Sequence, residues 1–427
     1  MQRVGDFAVP LAVLALMVQL TISGNLLVWL GVSYDVDGGM LFEKIHPATY
    51  LLAIAAFARV ASWWDSSGHA AHGVMRLKDL ALFLACISFC LLYAAALTGA
   101  GGLITLIDSF LPAGMVGVAL ADAKPAQLVR LRYVLRALFF INACLALGES
   151  AAGAELIPLR PDMSDPTIDF RPTALYDHPL TGAAATMLGL MLRSRGSNFG
   201  IVSICYDTIM FTALLAFGGR IALLVLVMAS STLFAARLAW LALHNRLRMR
   251  DLLWAAAASA CCAALAAGAW AGGLADRLVA HLYWDPSAQA RIDQLRILDR
   301  LSFEQIIFGI RRADLMSLIE PLRLSFRVAA IENFWLLIFL TLGALCFPVF
   351  LCAIAALVHF LWREGSTLGR LMIVTLLLVA STSNSLGRKS NLLTLLVGCV
   401  AASGRGCSCA AERPAPGSAG RPRHRFA

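Results

Sequence analysis

Residues 336–361 read Leu-Leu-Ile-Phe-Leu-Thr-Leu-Gly-Ala-Leu-Cys-Phe-Pro-Val-Phe-Leu-Cys-Ala-Ile-Ala-Ala-Leu-Val-His-Phe-Leu, without one Asp, Glu, Lys or Arg. A helix needs about 20 mainly apolar residues to cross the hydrocarbon core of a bilayer. This stretch, extended to 331–361, therefore reads as a membrane span. The pattern recurs along the chain. Spans are expected at 8–30, 46–64, 79–98, 101–121, 133–149, 199–217, 219–243, 251–275 and 367–386, with shorter ones at 181–192 and 390–403. The fold class is all-α: a polytopic membrane protein of about 12 transmembrane helices. The first span is too long for a signal-peptide core and shows no small-residue cleavage site, so it is expected to be retained.

Composition agrees. Of 427 residues, 59% are apolar and 14% charged, against about 45–50% and about 25% in soluble domains. Mean hydropathy is +0.76. This balance excludes an ordinary soluble enzyme, a disordered protein and a disulfide-stapled secreted module. The net charge of +9 arises from 35 basic and 26 acidic residues. These lie between apolar stretches, which makes the excess a topology signal and not the basic face of a nucleic-acid domain. With the N-terminus inside, the short inner loops hold Arg3, Arg76, Lys78, Lys124, Arg130, Arg132, Arg193, Arg195, Arg237, Arg246, Arg248, Arg250, Arg363 and Arg370. The short outer segments hold only Lys44, Arg160, Arg171, Arg220, Arg388 and Lys389. Basic residues favour the cytoplasmic side, so both termini are expected there.

Two outer segments are long enough to carry chemistry. Residues 149–180 are acidic and proline-rich. Residues 276–330 carry a stronger pattern. An amphipathic helix is expected from Ala288 to Leu301, Ser302-Phe303-Glu304-Gln305 fits a capping box, and Gly309 should end the turn that follows. A folded, partly helical cap on the outer membrane face follows. Residues 1–403 then form one membrane domain. The tail 404–427, rich in Gly, Pro, Ser, Ala and Arg, reads as disordered and cytoplasmic. Nine of the 11 cysteines lie in apolar segments and the long loops hold none, so no structural disulfide is expected. No cluster has catalytic metal spacing, and there is no Walker loop, GxSxG or HExxH.

Ionisable groups inside a bilayer are rare and need an explanation. Arg59 and Arg136 lie where they can snorkel, whereas Asp108 and Asp207 sit deeper and invite pairing with an arginine. Arg220 follows Gly218-Gly219 at the outer start of its helix. The helix dipole is already positive there, so the cation gains nothing from it. It suits an anion, either a protein carboxylate or a ligand phosphate. Arg311 and Arg312 follow Gly309, and Arg291 and Arg296 lie on the amphipathic stretch. They make either a solvated ion-pair surface or a phosphate site, which arginine's planar fork fits. Glu332-Asn333 opens the helix of the 331–361 span. Glu332 is either a dipole partner or a general base. His178, in Tyr176-Asp177-His178-Pro179-Leu180-Thr181-Gly182, is another possible base, or part of a turn with Asp177 near the cap of the next helix.

Certain stretches together resemble the O-antigen polymerase and ligase (Wzy/WaaL) superfamily, and most of all its VpsF-like polysaccharide biosynthesis branch. They are Phe42–Pro47, Tyr176–Gly182, Phe217–Arg220, Ile331–Trp335 with Gly343, and Ser381–Ser385 before Arg388-Lys389. The resemblance implies a metal-independent, cofactor-free membrane glycosyltransferase of the bacterial inner membrane. It would use a polyprenyl-pyrophosphate-linked glycan as donor and a sugar hydroxyl as acceptor on the outer face. It places Arg220 on the pyrophosphate, with Arg291, Arg311 or Arg312 as companion, and Glu332 or His178 as base. Many ligases carry His-Asn where this chain has Glu332-Asn333, which favours a polymerase. A chain-length regulator and export machinery are the partners such a polymerase implies, besides the bilayer. A ligase and a lipid-linked oligosaccharide flippase are the alternatives.

Overall fold

The computed structural model describes residues 2–34, 39–64, 77–97, 100–157, 170–192, 201–244, 248–249, 294–311, 314–315, 317–318, 331, 333–381, 386 and 389–404, with single positions at 253, 256, 264 and 267. Among these, every regular element is helical. In chain order the helices are α1 (Gln2–Thr21), α2 (Gly24–Trp29), α3 (Pro47–Trp64), α4 (Lys78–Leu97), α5 (Ala100–Ser109), α6 (Leu111–Leu120) and α7 (Pro125–Ala152). There follow α8 (Pro179–Met191), α9 (Ile201–Ala216), α10 (Arg220–Leu243), α11 (Phe303–Phe308), α12 (Phe334–Glu364), α13 (Thr367–Ser381) and α14 (Leu392–Ala402). The span expected at 251–275 and the tail from 405 lie outside the described residues, apart from the single positions given.

Four of these helices, α4, α7, α10 and α12, are long and apolar enough to cross a membrane. The surface supports a membrane setting. Phe57, Leu92, Val202 and Leu224 stand exposed on helices that also bury an apolar face, and a helix that is apolar all round suits lipid. One core runs from Val9 to Ala402, centred on the fully buried Phe83, Phe110, Phe139, Phe217, Phe334 and Phe350.

Helix ends explain several basic residues. Arg59 does not snorkel. It is buried, and its Nε and Nη2 both donate to the Ala119 carbonyl, 3.4 Å away. Arg132 Nε donates to the Ala402 carbonyl at 2.9 Å, and Arg370 Nε to that of Trp362 at 3.0 Å. All three carbonyls belong to last turns of helices, where backbone acceptors lack helical partners and cations are favoured. Arg136 lies over the Tyr206 ring, 4.7 Å from its centroid.

Several expected spans are interrupted. The helix expected over 8–30 stops at Thr21. Ser23 then caps α2 by accepting from Leu26 N–H, and the Ile22 carbonyl meets His46 Nε2 at 2.8 Å. The span at 101–121 is divided into α5 and α6 at Phe110, with Pro112 just inside the second piece. The span at 331–361 departs furthest. Gly343 is non-helical, with φ 65° and ψ 172°. Phe339 and Phe347 have ring centroids 5.6 Å apart, and Phe334 and Phe350 6.1 Å apart. A straight helix would separate positions 334 and 350 by about 24 Å. The chain therefore doubles back at Gly343, and residues 334–342 lie against 344–352 as the short arm of a helical hairpin. The long arm, 344–364, is about 31 Å long and can cross the bilayer alone.

Glycine is required at that turn. A Cβ on Gly343 would strike the Ile307 carbonyl oxygen and the backbone of Phe308 and Gly309. The segment that presses there is α11. Ser302 and Gln305 form its capping box, and Gly309 ends it with φ 88°, as the sequence indicates. Ile310 N–H donates to the Leu340 carbonyl at 2.7 Å, and Tyr93 on α4 donates to the Phe308 carbonyl at 3.2 Å. Ile297, Ile310, Leu315, Ile331, Leu336 and Leu340 form a second, smaller core over this junction. The amphipathic stretch expected as α-helix over 288–301 is a 3-10 helix where it is described, Gln294–Arg300.

Candidate functional site

The site begins at the end of α7. Glu149 is buried, and its carboxylate accepts from three backbone amides: Leu156 at 2.7 Å, Thr173 at 2.8 Å and Ala174 at 2.7 Å. Two turns earlier on the inward face, Asn142 Oδ1 accepts from Leu175 N–H at 3.2 Å. Four amide donors of one loop are thus held by two side chains of a single helix. Ala174 adopts φ 51°, a left-handed conformation that costs a non-glycine residue about 1–2 kcal/mol. Such strain persists only where the surroundings over-determine it, and here the Glu149 carboxylate supplies that restraint.

Beyond the clamp, Tyr176, Asp177, His178 and Gly182 each have a packing or hydrogen-bonding role. Tyr176 is buried edge-on against Phe217, with centroids 6.0 Å apart. Asp177 Oδ1 accepts from Asn25 N–H at 2.8 Å, tying the loop to α2. His178 is the N-cap of α8, with its Nδ1 accepting from Leu180 N–H at 3.2 Å, and Asp177 directly precedes it. With Nδ1 accepting, the neutral ring carries its hydrogen on Nε2. Gly182 packs against the Phe217 ring, which leaves no room for a Cβ, and Gly219 packs likewise on Ala183. Two stretches some 40 residues apart in sequence, Tyr176–Gly182 and Phe217–Arg220, therefore meet face to face.

Arg220 is the first residue of α10 and stands at this junction. The turn before it is tight. Gly218 has φ 69°, and Arg220 N–H donates to the Gly218 carbonyl at 3.1 Å. Arg171 lies on the open side of Gly218. Its Nε and Cδ are 3.8 and 3.9 Å from the point a Cβ would occupy. The Gly218–Gly219 turn thus has Arg220 on one side and the Arg171 side chain on the other, which the sequence marked only as an outer basic residue.

The other expected site residues lie elsewhere. Arg311 is exposed beside α11, on the piece docked at the Gly343 turn. Arg291, Arg312 and Glu332 lie outside the described residues. Asn333, next to Glu332, caps the short arm of α12 by accepting from Leu336 N–H at 3.1 Å. Trp335 Nε1 donates to Ser381 Oγ at 3.0 Å, joining this arm to the end of α13.

A second buried polar group sits where α5 ends. Asp108 does not pair with an arginine. It accepts from Tyr34 OH at 3.0 Å, Thr49 Oγ1 at 2.9 Å and His46 N–H at 3.0 Å. Lys389 lies over the Tyr34 ring and donates to the carbonyls of Tyr34 and Lys44. Ser390 N–H donates to Ser109 Oγ at 3.0 Å. The group fastens the first and last connections of the bundle to one helix end. Among the described residues, no three or more His, Cys, Asp and Glu side chains are grouped to hold a metal ion. No family model matches the chain, and no curated protein matches it.

Proposed function

We propose that this chain is a membrane-embedded glycosyltransferase of the bacterial cytoplasmic membrane. It joins lipid-linked oligosaccharide repeat units into a surface or exported polysaccharide, with a polyprenyl-pyrophosphate-linked glycan as donor. The observation that carries this reading is the packing of Tyr176–Gly182 against Phe217–Arg220. It brings two of the stretches on which the resemblance rests to one arginine. In this reading the chain has twelve spans and both termini in the cytoplasm, and residues 276–330 cap the outer face over the Gly343 turn.

The chemistry follows from the groups involved. A sugar hydroxyl of the acceptor attacks the anomeric carbon of the donor sugar. The bond from that carbon to the pyrophosphate oxygen breaks, and the hydroxyl proton passes to Glu332 or His178 as general base. Negative charge grows on the departing pyrophosphate, where Arg220 and an arginine of the late loop stabilise it. Direct displacement inverts the anomeric centre. The donor reaches the site sideways from the lipid.

The interruptions favour one second reading. Transporters place broken helices around their binding sites, and breaks occur here at Ser23, Phe110 and Gly343. A lipid-linked oligosaccharide flippase is that alternative. Extracting lipid-linked glycans from cells with and without the gene, and sizing them by mass spectrometry, separates the readings. Loss of the polymerase leaves single repeat units on the carrier at the outer leaflet. Long chains stranded on the carrier would mean a ligase. Single units held at the inner leaflet would mean the flippase and would end the catalytic assignments together.

A further inference from the structure

We propose that the seam between α7 and α9 holds the headgroup of an anionic phospholipid, in the leaflet at the Lys124 end of α7. Its binding groups are Arg130, Tyr133 and Arg136. They follow one another at three-residue steps, so each lies beside the next on the helix surface. Arg130 is exposed, Tyr133 is 64% exposed, and Arg136 is half-buried at the edge nearest α9. Ala137, Ile141 and Cys144 continue the exposed face, so the row opens onto lipid. Its depth suits a phosphate. No charged residue lies between Arg136 and Glu149, and Arg130 is about 28 Å from Glu149 along the axis. That distance is close to the hydrocarbon thickness, which puts Arg130 at the membrane surface opposite the Glu149 clamp. Arg136 starts about 9 Å deeper, but side chains on a helix lean toward its N-terminus. Its guanidinium therefore reaches back toward Arg130, to the level where phosphates lie.

The seam is built around one ring. The Arg136 guanidinium lies 4.7 Å from the centroid of Tyr206 on α9. Phe140 stacks on that ring at 5.4 Å, and Tyr206 OH donates to the Arg136 carbonyl at 3.4 Å. Two donors here are left over. Arg136 Nε and Ser203 Oγ are both buried and make no hydrogen bond among the described residues. Ser203 stands one turn before Tyr206 and is only 8% exposed. Unsatisfied buried donors are costly, and a phosphate oxygen accepts from guanidinium and hydroxyl alike. Among the described residues neither Arg130 nor Arg136 forms an ion pair. Asp207 follows Tyr206 on α9, and the three arginines of this stretch, Arg130, Arg132 and Arg136, outnumber it. The charge decides the lipid class. A zwitterionic headgroup would bring an ammonium to a cationic site, whereas an anionic headgroup brings none.

The test uses the full chain purified in detergent and titrated with phosphatidylglycerol or phosphatidylethanolamine, with bound lipid per chain read by native mass spectrometry. The parent should bind the first phosphatidylglycerol about fivefold more tightly than phosphatidylethanolamine, the increment of roughly one basic residue at a membrane surface. Arg130→Gln and Arg136→Gln should each remove most of that preference. Arg136→Lys should keep more of it than Arg136→Gln, since charge is kept and the fork lost. Arg130 is exposed, so its variant tests the site without disturbing the core. Lys78→Gln, exposed at the start of α4, removes the same charge elsewhere and should bind as the parent does. Equal binding of the two lipids by the parent would overturn the proposal. So would a parent-like preference in either arginine-to-glutamine variant. An equal loss in Lys78→Gln would overturn it as well, because the preference would then belong to diffuse surface charge and not to a site.

Discussion

At the scale of single residues, the chain shows why a polar residue in an apolar sequence is a question and not an answer. Arg59, Asp108 and Glu149 all interrupt apolar stretches. Their partners are a helix-end carbonyl, a set of hydroxyl and amide donors, and three loop amides. None of these partners is visible in sequence, because each is brought in by another segment. Arg220 stands out in the sequence because its position runs against two trends, the helix dipole and the inner preference of basic residues. The packing of Arg171 on Gly218 does not, since the two lie 47 positions apart. Glycines give the sharpest residue-level prediction. Gly343 has φ 65° and backbone atoms where a Cβ would go, whereas Gly148 faces open space inside α7. Gly343→Ala should destabilise by about 2–4 kcal/mol, from left-handed strain plus displaced backbone. Gly148→Ala should be neutral or slightly stabilising, by up to about 1 kcal/mol. Thermal unfolding of the two purified variants in one detergent measures the contrast. Equal midpoints would mean that the Gly343 turn is not formed as described.

At the scale of elements, hydropathy located the helices well and their direction poorly. The stretches at 79–98, 219–243 and 367–386 became α4, α10 and α13 within a few residues. The stretch at 331–361 became a hairpin. A mean over apolar residues does not change when the chain reverses, so Leu342-Gly343-Ala344 looks like any other piece of span. What could have flagged it is length, since 31 residues exceed a single crossing by about one-half. The two arms can be told apart from one straight helix by chemistry. In a background lacking the 11 cysteines, F334C with F350C should be joined within one chain by a short, membrane-permeant bis-methanethiosulfonate reagent, each end releasing methanesulfinate as its disulfide forms. The parent rings are 6.1 Å apart, while a straight helix would hold the positions about 24 Å apart. Cross-linked peptide recovered by mass spectrometry supports the hairpin. Complete single-end labelling at both cysteines, with no link, would restore the single span. The native pair Cys90 and Cys346, with sulfurs 3.6 Å apart between α4 and α12, gives an independent check on register. Oxidation by copper phenanthroline should link those two and no other described cysteines.

At the scale of the whole molecule, one polarity organises everything. Asp108, Asp177, Arg171, Arg220 and the Gly343 turn gather toward one end of the bundle. At the other, Arg59, Arg132 and Arg370 serve helix C-termini and Arg363 meets Asp79 at 3.0 Å. Part of the basic excess that sets the expected orientation is therefore also structural, because these side chains stabilise helix ends wherever the membrane lies. The two roles do not conflict, since both call for these arginines at one end of the bundle. A lipid-linked donor presented on the outer leaflet requires the Arg220 end to face outward. Reporter fusions decide this directly. A fluorescent protein joined after Ser403 and one inserted at Lys124 should both fold and fluoresce in the cytoplasm. Alkaline phosphatase fused after Gly153 should be active, which requires export. The reverse pattern would put Arg220, Arg171 and the loop around His178 in the cytoplasm. The acceptor glycan of an outer-face polymerase would never reach them there. Orientation therefore tests the polymerase reading without touching a single site residue.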